Sequence, residues 1–514
     1  MLPLLAGIRW NCFHRLQTAK CRVPSCRPTL ARSLGCAVLT LAAGFTASAQ
    51  PMTKEQRGVV EGYGATFVRA INASAAEIHR ATIQQVFIEK TVQELGPRIE
   101  AQFARLNRDY APLEYHHSEV TEHARGSMTS RVLHVYAKAR GATAWKDFQF
   151  MLEANPPYRI MQLAFIADVA EPVYLPNGDF ADASTQSWLN NYISKLMTEN
   201  GLSGTVLVTT GAQTVFERHF GFADLRGTQP ITADTGFNLG SGNKMMTAVA
   251  IAQLVEKGVI SYTDSISKFF PDFPNAAHAQ KTTIHHLLSH TSGIGEYWTK
   301  EYEQHWESIR TMNDMLPWVY KAGVNFAPGS EHRYSNSNFV LAGLIIEKVS
   351  KSSYFDYVKK NIYEPLGMKA TDHHLLDGSV KGLAERLRRK GDGWEVAPHG
   401  YRGSAAGGGF STPRDMDKFI RGLMQGKILS ANGVKTLTTS KTTGLEGMDY
   451  GYGFILSRSG QTPYLGHGGT ASGVNFELAY FPNLDTTLVI FSNQDNGAYD
   501  DLKRNIIKLI SGYR

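Results

Sequence analysis

Cysteine is scarce in this 514-residue chain: Cys12, Cys21, Cys26 and Cys36 are all there is, and nothing beyond residue 36 carries a thiol. Disulfides, thiolate metal sites and a cysteine nucleophile are therefore excluded from the remaining sequence. Acidic residues are missing from the front. None precedes Glu55, while Arg9, Arg15, Lys20, Arg22, Arg27 and Arg32 all do. With those six set aside, the net charge of +7 falls to about +1. Nucleic acid is then not a predicted partner. No apolar run reaches the roughly 20 residues of a membrane-spanning helix. The clearest, residues 34–45, leads into Ala47-Ser48-Ala49-Gln50. A basic front, a short apolar run and an Ala-x-Ala exit form the pattern of a secretory signal peptide. Residues 1–50 thus predict export to the periplasm or extracellular space, with no stable membrane span once they are removed. The long basic front also fits an Arg-rich organelle transit peptide. Cys36 heads the apolar run instead of ending it, which argues against a lipid anchor.

Several catalytic signatures are absent as well. Gly-x-Ser-x-Gly does not occur, which argues against an α/β-hydrolase. The pairs His116-His117, His285-His286 and His373-His374 suggest metal, yet no His-Glu-x-x-His is present. No metal and no other cofactor is predicted. Gly407-Gly408-Gly409 is not followed by Gly-Lys-[Ser/Thr], so it is no phosphate loop. His290 and Ser292 precede Gly293 and read as a structural turn.

What is present supports folded cores: 42% hydrophobic and 11% aromatic residues, in a chain long enough for two or three units. Residues 51–170 read as a small α+β unit. Residues 54–73 carry apolar positions at helical spacing, and 131–140, 145–153 and 158–167 read as strands. A helical front with a sheet behind it resembles the NTF2-like accessory domains, and predicts a packing or oligomerisation unit. Residues 171–184, with Pro172, Pro176 and Gly178, read as a linker. From 185 onward a helix (188–199) is followed by strands 204–210 and 214–220. Strands 474–481 and 486–493 and a helix 501–510 end the chain. Strands at both ends with helices between predict one sheet whose first and last strands meet, flanked by helices.

Three short elements carry the chemistry. Residues 245–255 are apolar nearly all round and predict a buried helix stopped by Lys257-Gly258. Ser241 falls at its N-terminus, where backbone N–H groups stabilise developing negative charge. Lys244 lies one turn on, on the same face. A lysine there is desolvated and opposed by the helix dipole, so its amine becomes a proton acceptor. Ser265 and Lys268 repeat the spacing but run into Phe269-Phe270-Pro271, a helix-breaking context. Tyr334-Ser335-Asn336 stands in a loop before an apolar helix. Tyr334 can relay protons and Asn336 can hold a substrate amide or simply cap the helix. His467-Gly468-Gly469-Thr470 precedes the strand at 474. Its glycines would let an edge lie against substrate at Gly469, with His467 beside it. The N–H of Thr470 then joins that of Ser241 as an oxyanion donor. His219-Phe220-Gly221 is a competing His-x-Gly, upstream of the serine.

Ser-x-x-Lys, Tyr-x-Asn and His-x-Gly in this order, 93 and then 133 residues apart, resemble the serine β-lactamase-like superfamily. The resemblance covers residues 185–514. It lies in the branch of class C β-lactamases, DD-peptidases, D-aminopeptidases and β-lactamase-like esterases. It implies an α+β fold, an α/β/α sandwich with an antiparallel sheet and a helical insert. It also implies Ser241 as the acylated nucleophile, Lys244 and Tyr334 as the acid/base pair, and Asn336 and His467 lining the site. The Lys-[Ser/Thr]-Gly of most β-lactamases and DD-peptidases is absent here. A neutral His467 supplies no fixed cation for a substrate carboxylate, worth about 1.5–3 kcal/mol when charge-assisted. The expectation is an esterase or a peptidase/amidase on a small-molecule or peptide substrate, and not an efficient β-lactamase. A D-aminopeptidase or DD-carboxypeptidase on peptidoglycan fragments, and a weakly catalytic penicillin-binding or regulatory domain, are the alternatives.

Overall fold

The computed structural model describes residues 52–512 apart from 74, 126–127, 143–144, 154, 170–174, 176–178, 181, 377–379, 392, 444–448 and 496. The expected leader, residues 1–50 with all four cysteines, and most of the expected linker lie outside the described residues.

The first helix, Lys54–Asn72, is opened by a capping box in which Thr53 and Gln56 satisfy each other's backbone N–H groups. Two further helices, Ala76–Val86 and Glu89–Tyr110, and a strand, Leu113–Arg125, follow it; the sequence reading had missed all three. Strands Met128–Ala139, Trp145–Leu152 and Ile160–Val169 complete a four-stranded antiparallel sheet in chain order. Phe67 of the first helix, whose ring centroid lies 5.3 Å from that of Phe103 and 4.6 Å from that of Phe150, joins helices to sheet in one core.

The rest is built on an eight-stranded sheet. Its order is Thr442–Thr443, Asp449–Tyr450, Ile455–Ser459, Thr462–Ala471, Val474–Phe481, Thr486–Ser492, Gly204–Thr210 and Gln213–Phe220. Every neighbouring pair is antiparallel. The first strands of this part do meet the last: Gly204–Thr210 pairs with Thr486–Ser492. Both faces are covered, which is why these strands read as nearly continuous apolar runs. Val206, Val208 and Ile490 pack under helices Ala183–Asn200 and Ala498–Ser511. Leu207, Val489 and Phe476 point the other way, into a core shared with Asn243–Glu256 and Pro413–Met424, behind which Asn336–Ser350 packs. This is an α/β/α sandwich whose helical insert lies between the N-terminal and C-terminal strands. Residues 467–470, directly before the strand Val474–Phe481, lie within the longer strand Thr462–Ala471 that pairs with it.

Candidate active site

Asn243–Glu256 is buried on all sides over most of its length, including Lys244. A tight turn, Gly240–Gly242, delivers Ser241 to its N-terminus. That turn needs Gly240 in the left-handed region, at φ 48°. It is clamped from two sides. On one, Leu239 N–H donates to Gly409 O at 2.8 Å, and Asn243 Oδ1 accepts from Gly409 N at 2.7 Å. The triple glycine, which is no phosphate loop, is thus the wall behind the serine. On the other side lies the strand Thr462–Ala471. A Cβ added at Gly469 would stand 2.1 Å from Leu239 O and 2.9 Å from Ser241 N, so only glycine fits. The backbone N–H groups of Ser241 and Thr470 thereby come to one seam, since a Cβ on Gly240 would lie 3.2 Å from Thr470 N.

Lys244 Nζ reaches Ser241 Oγ at 2.9 Å, Asn336 Oδ1 at 2.7 Å and Ala406 O at 2.6 Å. It also lies 4.8 Å from the Tyr334 ring centroid. Burial pulls its pKa down from 10.5 to about 7, with the Glu296 charge opposing the fall. Such an amine is partly neutral at physiological pH and can take the serine proton. Tyr334 faces Ser241, its buried hydroxyl without a hydrogen bond of ordinary geometry to any described residue. Burial pushes the phenol well above its ordinary pKa, so it stays protonated.

Asn336 lines the cavity over Ser241 and is the first residue of its helix, whose N-cap is Ser335. Its Oδ1 is taken by Lys244, and Nδ2 donates to Glu296 Oε2 at 3.1 Å. One amide hydrogen is left for a ligand. Like Lys244 and Tyr334, His467 and Gly469 stand behind the residues that line the cavity. Gly469 meets the serine turn. His467 is buried with both ring nitrogens engaged, Nδ1 with Gly468 O at 2.5 Å and Nε2 with Tyr450 Oη at 3.2 Å. Burial and the Lys244 charge hold it down to about 3, so it is neutral. The same Tyr450 hydroxyl meets His290 Nε2 at 3.2 Å, and His290 Nδ1 accepts from Ser335 N at 3.2 Å. A carbonyl only accepts and an N–H only donates, so both tautomers are fixed. His290 donates to Tyr450, and Tyr450 donates to His467.

Sequence reading took His290 for a plain turn residue and missed Glu296, Asn243 and Tyr450. Asn243 alone carried a signal, standing between Ser241 and Lys244. The competing motifs stay out of the site. Ser265 Oγ bonds Ala279 O at 2.7 Å and Lys268 pairs with Asp264 at 3.0 Å, while His219 is held by Thr205 at 2.8 Å. No group of three or more His, Cys, Asp or Glu side chains able to hold a metal ion is found among the described residues.

A sandwich of this kind, with a serine under a desolvated lysine, defines the class of serine acyl-transfer hydrolases. The beta-lactamase family model matches residues 189–511, and the chain belongs to that family. It is 29% identical over 333 residues to penicillin-binding protein 4* of Bacillus subtilis, covering 60% of this chain and 71% of that protein. A crystal structure of a penicillin binding protein from Bacillus halodurans is 31% identical, with a TM-score of 0.55 over 60% of this chain and 98% of that one. D-amino acid amidase from Ochrobactrum anthropi shares the fold at 23% identity and a TM-score of 0.56, over 63% of this chain and 98% of its own.

Proposed function

We propose that this serine hydrolase forms an acyl-enzyme on Ser241 and acts as an esterase or a peptidase/amidase, not as an efficient β-lactamase. The observation that carries the reading is the 2.9 Å contact of a fully buried Lys244 with Ser241 Oγ. Neutral Lys244 accepts the serine proton as Oγ attacks the carbonyl carbon. The N–H groups of Ser241 and Thr470 receive the oxyanion. Tyr334 protonates the leaving group and regains its proton from Lys244; the two then activate water to release the acid. The absence of Lys-[Ser/Thr]-Gly, with a neutral His467 in its place, disfavours docking of a β-lactam carboxylate. Residues 51–170, with a core of their own, serve as an accessory and oligomerisation unit, and the leader directs export.

A second reading, a penicillin-binding domain that acylates without useful turnover, draws on what the Bacillus relatives are named for. Fluorophosphonate labelling with mass mapping separates the cases. We expect adduct on Ser241, none in Ser241→Ala, and full labelling in Ser265→Ala. p-Nitrophenyl ester turnover should exceed that of nitrocefin and of a D-Ala-D-Ala peptide. Labelling by a fluorescent penicillin with no ester turnover would favour the second reading, and an unlabelled Ser241 would sink both.

A further inference from the structure

The cavity over Ser241 has a volume of ≈ 750 Å³ and a biased charge: Lys300, Arg386, Arg388 and Arg402 line it against one acid, Glu303, among its described residues. Two of the arginines are already committed. Arg388 is neutralised by Glu395, at 2.7 Å. Arg402 donates to His373 O at 2.7 Å and lies 3.7 Å from the Phe355 ring centroid.

Arg386 differs. Its Nε donates to Ser472 O at 3.1 Å, and its two terminal nitrogens have no hydrogen-bond partner among the described residues. Asp495, the acid acting on it, is itself occupied by Ser472 Oγ at 3.1 Å and Gly473 N at 2.7 Å. The backbone that carries the guanidinium is closely held. Leu387 N–H donates to Asn493 O at 2.8 Å, and a Cβ on Gly473 would lie 2.5 Å from the Arg386 carbonyl carbon. A fixed, half-buried fork with free donors, facing a cavity, suits a carboxylate.

Its position along the strand says which part of a substrate it meets. Tyr334, the leaving-group acid of the proposed reaction, stands toward His467, with ring centroids 6.3 Å apart. Arg386 is tied to Ser472, two residues and roughly 7 Å of chain beyond Thr470 on the other side of the oxyanion seam. The leaving group exits toward Tyr334, so the acyl chain runs toward Arg386.

We propose that Arg386 docks an anionic group on the acyl portion of the substrate, so that the preferred acyl donors carry a carboxylate at the far end of the acyl chain. The proposal rests on the hydrolase reading for its orientation. A matched pair tests it: the mono-p-nitrophenyl ester of adipic acid, and its methyl ester, which lacks only the charge. The full chain should favour the free acid by about tenfold in kcat/KM, as a charge-assisted contact implies. Arg386→Gln should bring the ratio near one, and Arg386→Lys should retain part of it. The ratio is internal to each variant and so insensitive to partial misfolding. A second arm needs no turnover. In Ser241→Ala, quenching of Trp298 and Trp306, which line the same cavity, should report tighter binding of monomethyl adipate than of dimethyl adipate, and Arg386→Gln should erase the difference. Equal handling of acid and ester by the unaltered residue, or a preference that survives Arg386→Gln, overturns the proposal. Hydrolysis of neither ester with the binding preference intact would instead sink the hydrolase reading and leave Arg386 as the anion dock.

Discussion

A lysine at the head of a buried helix is electrostatically misplaced, because the helix dipole repels a cation there and burial strips its water. Lys244 accepts that position and its pKa falls to about 7, with Glu296 limiting the drop. The sign of the pH effect follows. Below about 7 the ammonium holds its proton and cannot deprotonate Ser241; above it the amine is free. The kcat/KM for a neutral p-nitrophenyl ester should therefore fall tenfold per pH unit below about 7 and level off above it. Lys244→Arg should lose the rate by about 10²–10⁴ together with this inflection. A stopped-flow pH profile checks both. His467 contributes no inflection in that range, since burial and Lys244 keep it neutral down to about 3.

Elements decide which parts of the site could be read from the chain. Ser241 and Lys244 were legible because one helical turn relates them covalently. Tyr334 was legible because its loop opens an apolar helix. Glu296, Ala406 and Tyr450 were not, since two separate loops and a short strand carry them and only tertiary packing brings them to Lys244 and His467. The glycines beside His467 weaken strand propensity, and Gly469 admits the serine turn. In the N-terminal part, Gly96-Pro97 interrupts what is nonetheless one helix, Glu89–Tyr110, and the polar sequence of Leu113–Arg125 gives few apolar positions to read. The Tyr450 hydroxyl couples two of these elements, the Tyr334 loop through His290 and the oxyanion strand through His467. Tyr450→Phe leaves two buried imidazole nitrogens unpaired, at about 1–3 kcal/mol each. Thermal melts should show the loss of stability, and kcat should fall more than KM rises because the loop and strand lose their common tie.

At the scale of the whole molecule, the four-stranded N-terminal sheet and the sandwich are joined by a defined contact. Lys508, on the last helix, reaches Glu119 Oε2 at 3.1 Å, and Tyr136 donates to the same carboxylate at 2.9 Å. Burial raises the Glu119 pKa, but Lys508 and Tyr136 outweigh it and hold it below the ordinary 4.5. A depressed carboxyl contributes stability above its unfolded pKa and loses it as pH falls through the folded one. Lys508→Met should cost about 1–2 kcal/mol at pH 7. That is less than the 3–5 of a fully buried pair, because Lys508 keeps 21% of its side chain in water. The gap between variant and parent should narrow as the pH falls below 4.5 through the depressed Glu119 pKa, as calorimetry at neutral and acid pH would record.

The seam between Gly469 and the serine turn joins residues more than two hundred positions apart. During synthesis, Ser241 leaves the ribosome long before the Thr470 amide proposed as its partner, and the strand Gly204–Thr210 waits still longer for Thr486–Ser492. A chain halted before Thr470 would therefore carry the Ser241 hydroxyl without the strand that packs against its turn.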